Sequence, residues 1–297
     1  MKLISTAPVA SFAMLLMLCS SSSISAANGK GEVDWTGGYL TATGYGAATQ
    51  AVPASKALLS ARRAAEIDAQ RALLEVVKGV HIDTQTTVDR SMLRDDITKT
   101  RVEGVVRGAV ITKLDVTMVN GTPMATVAMK LCLDARSAEC AGKPALVSAI
   151  SLERFVNQDN GNSLTSFEPT LPALREPAKY DRTRPVTGAI LLLGSQHFER
   201  VLLPVVISRQ KGETILLYGV RRVAPEVVRT YGIVRYVASL EQARGMENIG
   251  ANPVVIFAEA VSGDNRIVIN PQDAATLEET LRHGNNYLEK GRVVIVQ

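Results

Sequence analysis

The stretch that decides the fold of the first half of the chain is residues 101–133, RVEGVVRGAVITKLDVTMVNGTPMATVAMKLCL. Over residues 102–118, apolar or small residues occupy the even positions and charged residues occupy many of the odd ones. Alternation with a period of two is typical of a half-buried β-strand, so this region predicts a strand that is very long for one element. Gly104 and Gly108 indicate a bulge or bend where the strand changes partners. Asn120 and Gly121 then predict a two-residue hairpin turn, and residues 122–133 are the returning strand.

A long amphipathic helix is predicted upstream, over residues 55–78. Its apolar residues recur at spacings of three and four, and several are alanines that allow close packing on a sheet: Leu58, Ala61, Ala65, Ala69, Ala72 and Val76. Residues 39–46 predict a short strand before this helix. The order strand, helix, strand, strand predicts an α+β domain whose long helix packs on one face of a small antiparallel sheet.

Ile67 and Leu74 lie seven residues apart on the opposite side of the same predicted helix. Two interpretations are open. They are either tolerated surface hydrophobic residues, which are common in soluble proteins, or a second contact stripe towards the other domain or a neighbouring subunit.

The first 27 residues have the layout of a secretory signal peptide. Lys2 precedes an apolar run over residues 9–18, and small residues follow up to Ala27. An apolar run of this length is too short for a permanent membrane anchor. Leu18 stands before Cys19, where a lipoprotein signal needs a small residue, so the sequence favours a soluble exported product over a lipid anchor at Cys19.

The remaining two cysteines, Cys132 and Cys140, form an even pair in a chain expected to enter an oxidising compartment. That location favours a disulfide between them. The alternative is one buried thiol at a strand end and one exposed thiol. Their spacing is not that of a CxxC motif, so it indicates neither a thioredoxin-like redox site nor a zinc site.

The region from 38 to 133 resembles a known family. The motifs that carry the resemblance are residues 61–83 (ARRAAEIDAQRALLEVVKGVHID), residues 100–104 (TRVEG) and residues 44–46 (GYG). They look like the N-terminal domain of flagellar assembly protein T and like the small outer-membrane lipoproteins of the FlgP type (the lipoprotein twenty family). The resemblance implies a non-enzymatic envelope protein that assembles into rings or disks around the flagellar basal body.

The chain is predicted to contain two domains, at residues 28–154 and 185–297, joined by a linker at 155–184 that is rich in proline and polar residues. The second domain is predicted to be a mixed α/β domain. Its predicted strands are residues 189–193, 202–207, 214–218, 253–261 and 292–296, with the first three forming an antiparallel set, and its predicted helices are 236–244 and 270–283.

No motif predicts catalysis, a cofactor or a metal. His81, His197 and His283 lie far apart in the sequence, without carboxylate partners at the spacing of metal ligands. The net charge is only +4, and the basic residues are spread along the whole chain rather than clustered. This distribution excludes the concentrated basic face that is typical of nucleic-acid binders.

Two classes of function are therefore expected. The first is a non-enzymatic structural or assembly protein of the cell envelope, periplasmic and associated with the outer membrane through partners. Those partners would be further copies of itself or other envelope and flagellar assembly proteins. The alternative is a periplasmic ligand- or polymer-binding module that uses the second domain. Aromatic residues make up 4% of the chain, which leaves few of the usual side chains for lining a ligand pocket and favours the first class.

Overall fold

The computed structural model describes residues 31–49, 53–158, 177–210, 212–282 and 285–297. The predicted signal peptide at 1–27, with Cys19, lies outside the described residues, as do His283 and residues 159–176 of the predicted linker. The described chain is α+β, as the sequence predicts, with eight α-helices and three four-stranded sheets among these residues.

The first unit, residues 31–158, is built on an antiparallel sheet in the order β1-β2-β4-β3. Its strands are β1 (Gly31–Asp34), β2 (Tyr39–Ala47), β3 (Val110–Val119) and β4 (Thr122–Cys132). The predicted hairpin joins β3 and β4. Asn120 and Gly121 have φ angles of 50° and 75°, the left-handed values that a type I′ turn requires.

Helix α1 (Ala54–Gly79) packs on β2 and β4. Five of its residues, each four positions after the last, are buried: Ala61, Ala65, Ala69, Leu73 and Val77. The buried stripe therefore continues through Leu73 and Val77, and the predicted Ala72 and Val76 are only partly buried at its margin. Leu58, at the start of the predicted stripe, is exposed.

The single long strand predicted over residues 102–118 is wrong in its first half. Residues up to Arg107 belong to helix α3 (Asp96–Arg107), which follows the short helix α2 (Val88–Arg94). Thr98, Val102 and Val106 are its buried residues. They are four positions apart. Residues at this spacing lie on one face of a helix, and they also lie on one face of a strand, so the spacing does not distinguish the two. Asp95 caps the helix by accepting a hydrogen bond from the Ile97 amide.

The second unit, residues 177–297, contains the other two sheets. The parallel sheet has the order β8-β12-β5-β9 and is formed by Arg235–Val237, Val293–Val296, Gly188–Leu192 and Pro253–Phe257. The mixed sheet has the order β10-β11-β6-β7 and is formed by Ala260–Val261, Ile267–Ile269, Val206–Gln210 and Glu213–Tyr218. The remaining helices of the described chain are α4 (Leu146–Ala149), α5 (Glu153–Gln158), α6 (Pro225–Tyr231), α7 (Leu240–Arg244) and α8 (Pro271–Arg282).

Four details of the second unit differ from the prediction. The strand predicted over 202–207 is β6 (Val206–Gln210), so residues 202–205 do not belong to a strand. β5 belongs to the parallel sheet, so it does not form an antiparallel set with β6 and β7. The predicted helix over 236–244 begins with strand β8 and becomes helical only at Leu240. The predicted strand over 253–261 is divided into β9 and β10, which lie in different sheets. Short apolar runs predicted the buried segments but carried no information about which strands are neighbours.

Candidate functional site

Cys132 and Cys140 form a disulfide, with their Cα atoms 5.8 Å apart. Cys132 ends β4, and Cys140 lies in the loop that follows it. Both residues are buried beside Ala145 and Val147. The bond therefore fixes the loop 133–139, which carries several of the polar contacts between the two units. It is also a bond typical of the oxidising environment that exported proteins meet.

The central contact between the units is a buried ion pair. Arg235 Nη2 at the start of β8 donates to Asp134 Oδ1 across 2.8 Å, and the two side chains are only 5% and 10% exposed. The Arg136 amide also donates to Asp134 Oδ1, at 2.9 Å. Burial raises the pKa of Asp134, and the positive charges of Arg235 and Arg136 oppose that rise.

Arg136 extends the same contact to two further segments of the second unit. Its Nη2 atom donates to the carbonyl oxygens of Gly232 and Gly291 at 2.8 and 3.1 Å. Burial lowers the pKa of this guanidinium, and the neighbouring Asp134 opposes the shift. The disulfide-closed loop thus holds the second unit through one carboxylate and one guanidinium.

Backbone and aromatic contacts complete the junction. The amides of Leu202 and Leu203 donate to the carbonyl oxygens of His81 and Ile82 at 3.0 and 2.8 Å. The rings of Trp35 and Tyr236 meet edge to face, with centroids 5.5 Å apart. One continuous hydrophobic core includes buried residues of both units.

The two histidines in the described part of the chain, His81 and His197, belong to no group of three or more potential metal ligands. His81 Nε2 lies 3.1 Å from Glu199 Oε1 at the junction, and His197 is exposed. Over the described ranges, no group of three or more histidine, cysteine, aspartate or glutamate side chains could hold a metal ion. The same ranges contain no helix both long and apolar enough to cross a lipid bilayer.

Two open clefts lie side by side on the second unit and share Tyr180. One has a volume of about 440 Å³ and is lined by Lys179, Asp181, Arg244 and the segment 250–253. The other has a volume of about 290 Å³ and is lined by residues 182–186 with Glu279 and Thr280. The first cleft is mainly polar, whereas the second has polar and apolar surface in similar amounts. Each is lined by two cations and one carboxylate.

The predicted stripe on α1 has one exposed member. Ile67 is 39% exposed, whereas Leu74 is partly buried and packs against the main core. A larger uncovered apolar surface, which the sequence did not indicate, lies on β3. Its Leu114, Val116 and Met118 are 37%, 41% and 65% exposed. The alternation predicted a strand there, but it could not show that the apolar face of this strand is left exposed.

Comparison with known protein families gives a match over the second unit. Residues 186–297 match the family model described as the second domain of Tp0624 from Treponema pallidum. The resemblance of residues 38–133 to flagellar assembly protein T and FlgP-type lipoproteins is therefore wrong as an assignment, since the matching family is a different one and lies in the other half of the chain. No curated protein matches the chain. By its second unit, the chain is similar to the Tp0624 second-domain family.

Proposed function

We propose that this protein is a non-enzymatic structural or assembly protein of the cell envelope, which works through contacts with further copies of itself or with other envelope proteins. The observation that carries the proposal is the exposed apolar edge formed by β3. Monomeric proteins usually shorten, charge, bulge or cover such edges, because a long unpaired strand is a template for pairing with another chain. β3 carries Lys113, Asp115 and an irregularity at Thr112, yet Leu114, Val116 and Met118 stay exposed on it. Apolar residues left exposed on an edge strand therefore favour an interaction surface.

The junction between the units supports a structural role. The Asp134–Arg235 pair, the Arg136 contacts and the shared core join both units into one body. Little relative motion is compatible with a buried ion pair and a continuous core, since opening them would expose a charge pair and apolar surface to water. A protein whose two units are fixed to each other can hold its neighbours in defined positions within an assembly.

The periplasm is the compartment that we propose. The layout of residues 1–27 supports export, and the Cys132–Cys140 disulfide supports an oxidising destination. Contact with the outer membrane would then be made through partners, without a lipid anchor at Cys19.

Two measurements test this proposal. Size-exclusion chromatography with light scattering of the exported protein should give a mass above that of one chain, which rises with concentration. Cross-linking in cells should give species at multiples of the chain mass or in defined complexes with envelope proteins, and fractionation should place the protein in the periplasm. A strict monomer without cross-links in cells, or a cytoplasmic location, would contradict the proposal.

The second candidate function is binding of an anionic glycan or polymer in the two clefts beside Tyr180. Four cations line the clefts against two carboxylates, which favours an anionic ligand, although one of the cations, Arg184, is paired with Asp181 at 2.8 Å. Another of them is Arg182, whose guanidinium carbon lies 5.8 Å from the Tyr180 ring centroid. Calorimetry with soluble cell-wall glycan fragments tests it. Binding that is lost in Tyr180→Ala with Arg182→Ala, but kept in Arg101→Ala on the first unit, would support this function. Absence of any heat of binding would exclude it for these fragments.

A further inference from the structure

The outer edge of β3 has no partner strand among the described residues. β3 is the last strand in the order β1-β2-β4-β3, and nine of its ten residues are exposed. β4 pairs with its inner edge from Val119 back to Val110, with one irregularity that leaves out Thr112. The outer edge therefore presents backbone donors and acceptors over most of a ten-residue strand.

One face of this edge is apolar and uncovered. Leu114, Val116 and Met118 stand beside Val127, Ala125 and Pro123 of β4, and these β4 residues are buried. The exposure of the β3 residues arises because α1 packs on β2 and β4, leaving the edge strand beyond its cover. A partner that continues the sheet would place its own side chains against these three residues.

The charges on β3 indicate which partner fits. Lys113 and Asp115 are the only charged residues of the strand, and both are exposed on the face opposite Leu114. Lys113 Nζ lies 2.7 Å from Asp115 Oδ2 within the chain, so pairing of two strands joins two such ion pairs into one group of alternating charges. An antiparallel copy of β3, related by a two-fold axis at Leu114, places Lys113 of each chain opposite Asp115 of the other. Moving the axis by one residue in either direction brings Lys113 opposite Lys113, or Asp115 opposite Asp115, which is unfavourable.

The irregularity at Thr112 is compatible with this register. Thr112 has no partner in β4, and the ladder resumes at Ile111. If Thr112 is likewise left out of the new ladder, Ile111 faces Val116 of the second copy and Val110 faces Thr117. Each of these pairs then shares one face of the sheet, as directly opposed residues must.

We propose that β3 pairs antiparallel with β3 of a second copy of this chain, about a two-fold axis at Leu114. Two four-stranded sheets then join into one continuous sheet, and the apolar residues of both edges cover each other. Such an isologous pair uses the same patch on both chains and closes on itself. This inference rests on the proposed assembly function and names its partner and contact.

The charge pattern provides the decisive experiment. Lys113→Glu alone places two carboxylates opposite each other, because the new side chain faces Asp115. Asp115→Lys alone likewise places two ammonium groups opposite each other. Each variant should therefore dimerise at least tenfold more weakly than the parent in sedimentation or light scattering. An equimolar mixture of the two variants should regain dimers, because the carboxylates of one chain then face the ammonium groups of the other.

The matched control for these variants is Lys99→Glu, the same charge change on the exposed surface of α3. It should leave dimerisation unchanged, because Lys99 does not belong to the β3 edge.

A cysteine at the axis tests the register. Leu114→Cys should form an intermolecular disulfide under mild oxidation, whereas Met118→Cys, distant from its counterpart, should not. The proposal is overturned if both single charge variants still dimerise as the parent does, if the mixture stays monomeric, or if the Leu114→Cys variant does not cross-link.

A dimer that is lost in Ile67→Asp but kept in the β3 variants would also overturn this inference. It would leave the proposed assembly function standing, with α1 as the contact. A protein that is monomeric at every concentration overturns the inference, and cross-linking in cells then decides the proposed function separately.

Discussion

Asp134 and Arg235 are separated by 101 positions in the sequence, and the fold brings them into a buried ion pair. Removing two charges from water is costly, and the attraction between them compensates only when the remaining hydrogen-bonding atoms are also satisfied. Here the Arg136 amide supplies a second donor to Asp134. Nη2 of Arg136 reaches two carbonyl groups of the second unit, whereas its buried Nη1 has no hydrogen-bond partner among the described residues. No local pattern in the sequence indicates this pair, because neither residue belongs to a recognisable motif.

Removing one member of the pair should be much worse than removing both. Asp134→Ala leaves Arg235 buried without its counter-charge, and we expect a loss of about 3–5 kcal/mol in the free energy of unfolding. The double variant Asp134→Ala with Arg235→Met should recover a large part of that loss. Urea denaturation measures both, with Lys78→Ala as the control, since its ion pair with Glu75 is exposed and should contribute less than about 1 kcal/mol. Equal losses in the single and double variants would contradict this view.

Asp95 should make stability depend on pH in the acidic range. Hydrogen bonds from Thr98, Ser151 and the Ile97 amide lower the pKa of Asp95 to about 2 from its usual value of 3.8. The folded protein therefore binds this proton less readily than the unfolded chain, so stability rises with pH across this window and is lost as the pH falls towards 2. The slope of unfolding free energy against pH, between about pH 4 and 2, should be shallower in Asp95→Asn. The neighbouring Asp96→Asn is the matched control, and an unchanged slope in Asp95→Asn would refute this role.

At the scale of elements, sequence patterns predicted the structures that depend on residues close together in the sequence. Asn120 and Gly121 fixed the hairpin, because few residues adopt the left-handed conformation that its turn requires. The strand predicted from the alternation is wrong up to Arg107, because the spacing of Val102 and Val106 fits one face of a helix equally well. The sequence indicated the cysteine pair. It did not indicate the exposed edge of β3, because that exposure depends on which strands α1 packs against in the folded protein.

Two glycines test how closely the elements pack. A Cβ atom at Gly44 of β2 would lie 2.0 Å from the Ala69 amide nitrogen and 2.4 Å from the Ala65 carbonyl oxygen of α1. Gly44→Ala should therefore force α1 from the sheet, and we expect a loss of at least about 1–3 kcal/mol. Gly104 lies within α3 with no heavy atom near its Cβ position, so Gly104→Ala should stabilise the protein by about 0.5–1 kcal/mol. Thermal denaturation of both variants measures these opposite signs; a neutral Gly44→Ala would mean that the helix and sheet are less closely packed.

At the scale of the molecule, the disulfide and the junction form one connected arrangement. Cys132 and Cys140 close the loop from which Asp134 and Arg136 reach the second unit. In the same loop, the Ala135 amide donates to the Thr230 carbonyl oxygen at 2.8 Å. The disulfide therefore holds the polar groups of this loop in a fixed position. In that position they meet their hydrogen-bond and ion-pair partners on the second unit, so the two units act as one body.

Removing the disulfide should consequently weaken the junction as well as the loop. For Cys132→Ser with Cys140→Ser, we expect a loss of about 2–3 kcal/mol in unfolding free energy from the less constrained unfolded chain. Hydrogen exchange should accelerate at residues 133–136 and also at 230–235, because the second segment depends on the position of the first. Glu139→Gln, which alters an exposed ion pair in the same loop, should leave exchange at 230–235 unchanged. Faster exchange confined to the loop would mean that the junction does not depend on the disulfide, and it would contradict this coupling.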